Sequence, residues 1–274
     1  MWVSTNGGIA KLDPATGRLA HFIRIPNDSE WDDLAYGGGA VWYLQAAGVL
    51  SRVDPTTLRP VRLSGFGGDR ALKGRKPQSW SWVAATVHRA CVGRLASGTP
   101  KAVLCFDPLL RSYWLVDGGP DPLVADARGN IFAGGSGLTE IDVRSRSASI
   151  VPRLRRAHVT ALAASGSSLW AAVESKGVHP RAEIWHIVGR TTVSRTTTDA
   201  RYIQNIAVND AGVWVLYPAA RHVILAAVEP DGALKRVATL PDDARSLVAT
   251  PGALWTANFR DSTVARITGY TAPG

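Results

Sequence analysis

An acidic cluster interrupted by one tryptophan is the first feature of this sequence that could do chemistry. It consists of Glu30, Trp31, Asp32 and Asp33. If alternate residues of this run point the same way, their carboxylates could bind a divalent cation such as Mg²⁺ or Ca²⁺, or hold an amine beside the indole ring. The same residues also suit a solvated loop whose turn resembles a helix cap. The sequence leaves both interpretations open, and it predicts no other cofactor.

Arginines in the last third of the chain form the second such feature: Arg201, Arg221, Arg245 and Arg260. Their forked donors suit a carboxylate or a phosphate. Cations that converge without partners repel one another, and Asp243 could neutralise only one of them. We therefore expect an anionic ligand at Arg201, Arg245 and Arg260, flanked by Tyr202 and Tyr217. The alternative is that these are exposed arginines of an arginine-rich chain.

His158 and Glu174 could form an acid–base pair, because an imidazole titrates near neutral pH and a carboxylate can orient it. If the protein is an enzyme, these two residues with Asp32 and Asp33 are its predicted acid–base set. The alternative for His158 is a solvated loop, since it follows Arg155 and Arg156. Further predicted ligand contacts stand at corresponding ends of predicted strands: Trp31, Gln45, Trp80, Gln204 and Asn258.

A repeat with a period of about forty residues predicts the elements that position these side chains. Each copy has an inner strand with small residues, a turn, a second strand led by a large apolar residue, and a third strand that often ends in Asp-Pro. The second strands are led by Trp2, Trp42, Val92, Phe132, Trp170, Trp214 and Trp255. The inner strands carry Ala35, Ala84, Ala125, Ala163, Ala207 and Ala249. A fixed period of this length is typical of a propeller or a solenoid.

Seven copies predict an all-β fold, a seven-bladed β-propeller of four-stranded antiparallel blades, with six blades as the alternative. A lone meander cannot bury both faces, so the copies must stack, with the repeated tryptophans packed between blades. The copies span residues 1–274, which predicts a single domain. Copy one begins on its second strand and copy seven shows no convincing fourth strand. We therefore expect an incomplete N-terminal blade, with its inner strand upstream in the native chain or replaced by residues 269–274.

Charge and composition limit the classes of partner that this protein is predicted to bind. The net charge is +9, and only six of the 31 basic residues are lysines. The basic residues spread over all copies instead of forming a stripe with interleaved aromatic residues, so no nucleic-acid partner is predicted. No apolar run is long enough for membrane insertion and no signal peptide is seen, although the compartment stays open. A monomer is expected.

The two cysteines, Cys91 and Cys105, are predicted to face each other across one hairpin, because they are spaced symmetrically about Gly98. They could form a cross-strand disulfide, or they could be two small buried thiols.

Three segments resemble the repeats of the streptogramin B (virginiamycin B) lyase group and of the wider YVTN and NHL propellers: GALWTANFRDSTVARI, GGAVWYLQAAGVLSRVDPTT and WVSTNGGIAKLDPATGRL. The resemblance implies seven blades. It also implies a Mg²⁺ ion and a catalytic histidine at the mouth of the central funnel. At the matching places this chain has Gln204, Asp243 and Arg245. Three residues after the leading tryptophans it has no glutamate but Thr5, Gln45, Val173, Tyr217 and Asn258. The lyase mechanism therefore does not carry over.

In a propeller, the loops that enter inner strands and those that leave second strands meet on one face, where the candidate residues collect. We call this the start face, because the inner strands begin there. The sequence predicts a binding or sensing propeller that takes a small, polar, anionic ligand in the central funnel. One alternative is a lyase-like or other small-molecule enzyme with a changed site. The other is a protein-interaction scaffold.

Overall fold

The computed structural model describes residues 1–5, 7–25, 33–45, 49–63, 80–94, 102–106, 113–117, 121–175, 180–258 and 263–270. These residues form seven antiparallel sheets in chain order, which define an all-β seven-bladed β-propeller, as the repeat predicts. They divide into two compact units. The prediction of a single domain over residues 1–274 stays a prediction.

The first unit holds the sheets of copies one to four. The sheet of copy one has three strands: β1 (Trp2–Thr5), β2 (Gly8–Leu12) and β3 (Leu19–Arg24). Copy two forms β4 (Asp33–Gly37), β5 (Ala40–Gln45), β6 (Val49–Val53) and β7 (Pro60–Leu63). Copy three forms β8 (Trp80–Ala85), β9 (Ala90–Arg94), β10 (Ala102–Phe106) and β11 (Tyr113–Asp117). Copy four forms β12 (Leu123–Ala125), β13 (Asn130–Ala133), β15 (Thr139–Asp142) and β16 (Ser147–Ile150).

The second unit holds the sheets of copies five to seven. The fifth sheet contains β14 (Gly135–Ser136), β17 (His158–Ser165), β18 (Ser168–Glu174), β19 (Ala182–Val188) and β20 (Thr191–Thr197). The sixth contains β21 (Asn205–Asn209), β22 (Gly212–Ala219), β23 (His222–Val228) and β24 (Leu234–Leu240). The seventh has three strands, β25 (Ala244–Thr250), β26 (Ala253–Asn258) and β27 (Thr263–Ile267). A short 3-10 helix, Pro152–Leu154, precedes β17.

The repeated large apolar residues lie on second strands and pack between neighbouring blades, as the repeat predicts. Trp42 on β5 packs with Val83 and Phe106 of the third sheet, and Trp214 on β22 packs with Leu247 and Leu254 of the seventh. Each of these two indole N–H groups donates a hydrogen bond to the inner strand of its own blade, to Gly37 O and Asn209 Oδ1 respectively. Burial of a large apolar ring with its polar atom satisfied is what a stable interblade core requires.

Three of these tryptophans also carry a cation from the adjacent third strand, which the sequence reasoning missed. The directly opposed pairs are Trp2 with Lys11, Trp42 with Arg52, and Trp255 with Arg266. The cationic groups lie 5.4, 5.9 and 5.6 Å from the ring centroids, within the range of a cation–π interaction. In each blade this contact favours one pairing register of the second and third strands.

His186 takes the corresponding place opposite Trp170, and the two rings stack in parallel with centroids 4.1 Å apart. Its Nε2 atom is buried without a hydrogen-bond partner among the described residues. Burial lowers the pKa of the His186 imidazole below its ordinary value, because the charged form would lose its hydration.

We expect the free energy of unfolding to fall as the pH drops from about 8 to about 5.5. The unfolded chain takes up a proton on His186 near its ordinary pKa of 6.5, whereas the folded chain resists it. A His186→Phe variant keeps a ring on Trp170 and should lose this part of the pH dependence. Thermal unfolding of both proteins across this pH range measures the difference, and identical slopes would contradict the assignment.

The Asp-Pro ends of the first two third strands form turns that the aspartate side chains stabilise. Asp13 Oδ1 accepts a hydrogen bond from Ala15 N, and Asp54 Oδ1 accepts one from Thr56 N, at 2.8 and 2.7 Å. These backbone donors stabilise the carboxylates and lower the pKa of both aspartates. Asp residues suit such turns because a short side chain can reach the backbone two residues ahead.

Cys91 on β9 and Cys105 on β10 are directly opposed, with Cα atoms 4.0 Å apart, and they form a disulfide. The prediction that they face each other is confirmed, and of the two alternatives the structure has the cross-strand bond. Both residues are buried between the third and fourth sheets, beside Ile131 and Ile141.

Candidate functional site

The start face of the second unit brings one predicted pair into contact. His158 begins β17, Glu174 ends β18, and the two are directly opposed in the sheet. The imidazole Nδ1 lies 2.8 Å from Glu174 Oε2. Because a carboxylate can only accept a hydrogen bond, Nδ1 carries the proton, which leaves Nε2 as the acceptor in the neutral ring. The imidazole remains 58% exposed, so it can be reached from solvent.

A third polar residue joins this pair from the other side. The two-residue strand β14 pairs with β17 and sets Ser136 opposite His158. Directly opposed residues of antiparallel strands point to the same face of the sheet, so Ser136, His158 and Glu174 form one row across three strands. The sequence reasoning missed Ser136. The only local signal was its glycine-rich surroundings, Gly-Gly-Ser-Gly at residues 134–137, which indicate a turn and do not reveal its partner strand.

Other polar side chains on this face connect neighbouring blades. Gln204 Nε2 donates to Ala244 O at 2.9 Å, and Asn205 Nδ2 donates to Arg245 O at 3.4 Å. One blade earlier, Thr160 Oγ1 donates to Ile203 O at 2.9 Å. Gln204, predicted as a ligand contact, therefore uses its amide N–H to hold the seventh blade against the sixth.

The described cations among those predicted for this face are exposed: Arg201, Arg221 and Arg245. Arg201 stands before β21, and Arg245 lies on β25 at a bulge between Ala244 and Ser246. Tyr202, next to Arg201, is 38% exposed. Asp243, proposed from the sequence as a partner for one arginine, is buried. The bulge interrupts the regular alternation of side-chain directions at Arg245. Its backbone oxygen accepts the hydrogen bond from the sixth blade, while its side chain is exposed to solvent.

Tyr217 and Asn258 lie at or near the ends of second strands on the same face. Tyr217 is half-buried against the apolar cluster of the fifth and sixth sheets, and this burial raises the pKa of its phenol. Asn258 Nδ2 donates to Thr263 Oγ1 at 3.0 Å across the last hairpin. Its Oδ1 atom is buried, with no hydrogen-bond partner in the described part of the chain.

In the first unit, Asp33 acts as a link between blades. Its Oδ1 accepts a hydrogen bond from Leu34 N and its Oδ2 accepts one from Val83 N, at 2.8 and 2.7 Å. Gln45 ends β5 and is buried, and Trp80 begins β8. Four residues of the predicted sites lie outside the described residues: Glu30, Trp31, Asp32 and Arg260.

The described residues contain no group of three or more His, Cys, Asp or Glu side chains that could hold a metal ion. They also contain no helix with the length and apolar character needed to cross a membrane.

Comparison with solved structures identifies the fold class. No protein-family model matches the sequence, and no curated protein matches it either. The chain is similar to one in the crystal structure of the mitotic checkpoint complex, with 11% identity, a TM-score of 0.70, and coverage of 98% of this chain and 83% of that one. The WD40 repeats of RRP9 align with 12% identity and a TM-score of 0.63, over 99% and 84% of the two chains.

A third similar structure is the β-propeller domain of Cps50 (Swd1) from Myceliophteria thermophila. It shares 13% identity at a TM-score of 0.64, over 97% of this chain and 92% of that domain. Structural similarity at identities this low establishes the propeller fold alone. The function has to be argued from the site. The likeness to streptogramin B lyases stays a resemblance between sequences.

Proposed function

We propose that this propeller is a protein-interaction scaffold whose second unit binds an acidic segment of a partner on its start face. The observation that carries the proposal is that some polar side chains of this face hold the blades together, whereas others are exposed to solvent. Arg201, Tyr202 and Arg245 are exposed. Arginine and tyrosine, with tryptophan, are enriched among the residues that dominate binding at protein interfaces, and arginine pairs with carboxylates through its forked donors.

The interblade hydrogen bonds favour an extended partner over a small molecule. A small-molecule site needs a few polar groups that fix the orientation of its ligand. On this face the side-chain N–H of Gln204 and the side chains of Asn205 and Thr160 are directed at backbone oxygens of neighbouring blades. Exposed cations remain, and they can be matched by carboxylates spaced along a peptide.

The structural neighbours agree with this proposal at the level of the fold. One of the similar chains belongs to the mitotic checkpoint complex, and another consists of the WD40 repeats of RRP9. This likeness is an analogy between folds, so the proposal rests on the start face itself.

Two other functions remain as competing proposals. A small anionic ligand at the same arginines would make this a binding or sensing propeller. A lyase-like enzyme would fit the sequence resemblance to the streptogramin B lyase group. The described members of its predicted acid–base set are Asp33, His158 and Glu174.

Binding of a fluorescein-labelled peptide of alternating glutamate and leucine, followed by fluorescence polarisation, tests the scaffold. Each charge-assisted contact contributes about 1.5–3 kcal/mol, so the Arg201→Ala/Arg245→Ala double variant should bind at least about tenfold more weakly. Added salt should weaken binding to the wild type more than to the variant, because exposed charges are screened.

Arg190→Ala/Arg236→Ala is the charge-matched control, since both arginines are exposed, Arg190 lies in the turn that follows β19, and Arg236 lies on the outer strand β24, away from the proposed surface. It should bind the peptide like the wild type. Equal affinity for all three proteins, or no binding by the wild type, would refute the scaffold proposal. Calorimetric titration with inorganic phosphate and citrate provides the second arm. Tight binding there, lost in the Arg201→Ala/Arg245→Ala variant while the peptide does not bind, would favour the small-ligand function.

A further inference from the structure

We propose that Ser136, His158 and Glu174 form a nucleophile, a base and an orienting carboxylate that carry out acyl transfer from esters. This proposal does not depend on the scaffold function, because it uses none of the residues assigned there. It rests on the row of three side chains across β14, β17 and β18.

The row places the three groups in the order that nucleophilic catalysis requires. Opposed residues on adjacent antiparallel strands have Cβ atoms roughly 4.5–5.5 Å apart, so the Ser136 side chain and the imidazole are neighbours. Glu174 Oε2, on the strand at the other side of β17, accepts from His158 Nδ1 at 2.8 Å. The tautomer that this contact stabilises leaves Nε2 able to accept a proton from a hydroxyl group, which is the arrangement by which a base activates a serine.

The serine stands on a backbone segment that the structure fixes on both sides. Gly135 and Gly137 flank it with φ angles of 95° and 122°, values that suit glycine. Leu138 N donates to Leu154 O, and Val151 N donates to Leu138 O, which ties the segment to the 3-10 helix. A Cβ atom at position 137 would lie 2.9 Å from Arg155 O, so the segment packs closely on the chain that leads into His158.

The reaction follows from these positions. Ser136 Oγ attacks the ester carbonyl carbon and forms a C–O bond, while its proton passes to His158 Nε2. The bond from carbon to the leaving oxygen breaks, and His158 returns the proton to that oxygen as the alcohol departs. Water then attacks the acyl-serine, giving a proton to His158, and Ser136 Oγ regains a proton as the carboxylic acid is released.

The surroundings indicate an anionic ester as the substrate class. Arg155 and Arg156 are exposed and lie three and two residues before His158, respectively. A negatively charged acyl group would be attracted to these cations. We therefore expect faster hydrolysis of the 4-nitrophenyl monoester of glutaric acid than of 4-nitrophenyl acetate.

Labelling of the full chain with a biotinylated fluorophosphonate, with the modified residue located by mass spectrometry, tests the nucleophile. The wild type should be labelled at Ser136, and Ser136→Ala should abolish the label. Hydrolysis of the glutarate monoester should fall at least about a hundredfold in Ser136→Ala and in His158→Ala, the range expected for loss of acid–base catalysis. Glu174 acts as a positioning residue, so Glu174→Asp should retain more of kcat than Glu174→Gln, with KM unchanged.

The fifth sheet contains a matched control. Ser194 is exposed and stands opposite His186, but Trp170 occupies the place of the carboxylate. Ser194→Ala should keep full labelling and full hydrolysis. The proposal is wrong if the wild type is not labelled, if the label lies on another residue, or if Ser136→Ala hydrolyses the ester at the wild-type rate. Equal thermal midpoints of the wild type and Ser136→Ala would confirm that a lost reaction does not reflect a lost fold.

Discussion

Replacing Trp214 by alanine should lower the free energy of unfolding by about 3–5 kcal/mol, the range found when a buried aromatic side chain is truncated. The indole is fully buried between the sixth and seventh blades. Its removal opens a cavity lined by Leu216, Leu225 and Leu254, and it takes away the hydrogen bond to Asn209. Urea unfolding of the two proteins, followed by tryptophan-independent circular dichroism, measures the loss.

Trp185→Ala is the matched control for this experiment. Trp185 is half-buried on the third strand of the fifth blade and lies off the repeat phase, so its removal leaves a site that solvent can fill. We expect a distinctly smaller loss for this variant, and a Trp214→Phe variant should fall between the two. If Trp214→Ala proved as stable as Trp185→Ala, the repeated tryptophans would not be the main interblade contacts.

Reduction of the Cys91–Cys105 disulfide should lower the free energy of unfolding by about 3 kcal/mol, because the bond closes a short loop and restricts the unfolded chain. The sequence separation of 14 residues sets this magnitude. Urea unfolding with and without a reducing agent measures it, with complete reduction verified by counting free thiols.

A Cys91→Ala/Cys105→Ala variant should unfold at the same urea concentration with and without the reducing agent, which separates the bond from other effects of the reagent. Mass spectrometry after alkylation in denaturant without reductant must find both cysteines protected in the wild type. Two alkylated cysteines in that experiment would show that the bond does not form, whatever the unfolding curves give.

The fold could be predicted because each blade repeats the same local pattern. The tryptophans at positions 42, 170, 214 and 255 occupy the same place in their blades and therefore recur in phase with the repeat of about forty residues, so sequence spacing reveals them. The opposition of His158 and Glu174 was also accessible. The tight turn at Gly166 joins their two strands and brings the two ends together. Their direct opposition also requires the bulge between Val159 and Ala161, which shifts the register by one residue and which the sequence does not reveal.

The rest of the site depends on contacts between segments that share no local pattern. Ser136 lies opposite His158 because the two-residue strand β14 pairs with β17 of the fifth sheet. The side chains of Gln204, Asn205 and Asp33 bond to backbone groups some 40 to 50 residues away. Every residue type has such backbone groups, so the sequence does not indicate which residue is the partner. The Trp–cation pairs did leave a signal, a basic residue shortly before the end of the third strand, as in Lys11 and Arg52.

The hydrogen bonds from Gln204 and Asn205 to backbone oxygens allow the residues that bind a partner to evolve independently of the contacts that hold the blades together. A carbonyl oxygen is present whatever side chain its residue bears, so position 245 can change from arginine to any residue that its backbone conformation accepts, and the contact from Asn205 persists. Mutation can therefore explore new partners at the accepting positions while the donors upstream keep the blades together. The specificity of such a surface can change one residue at a time, and each variant along the way still folds.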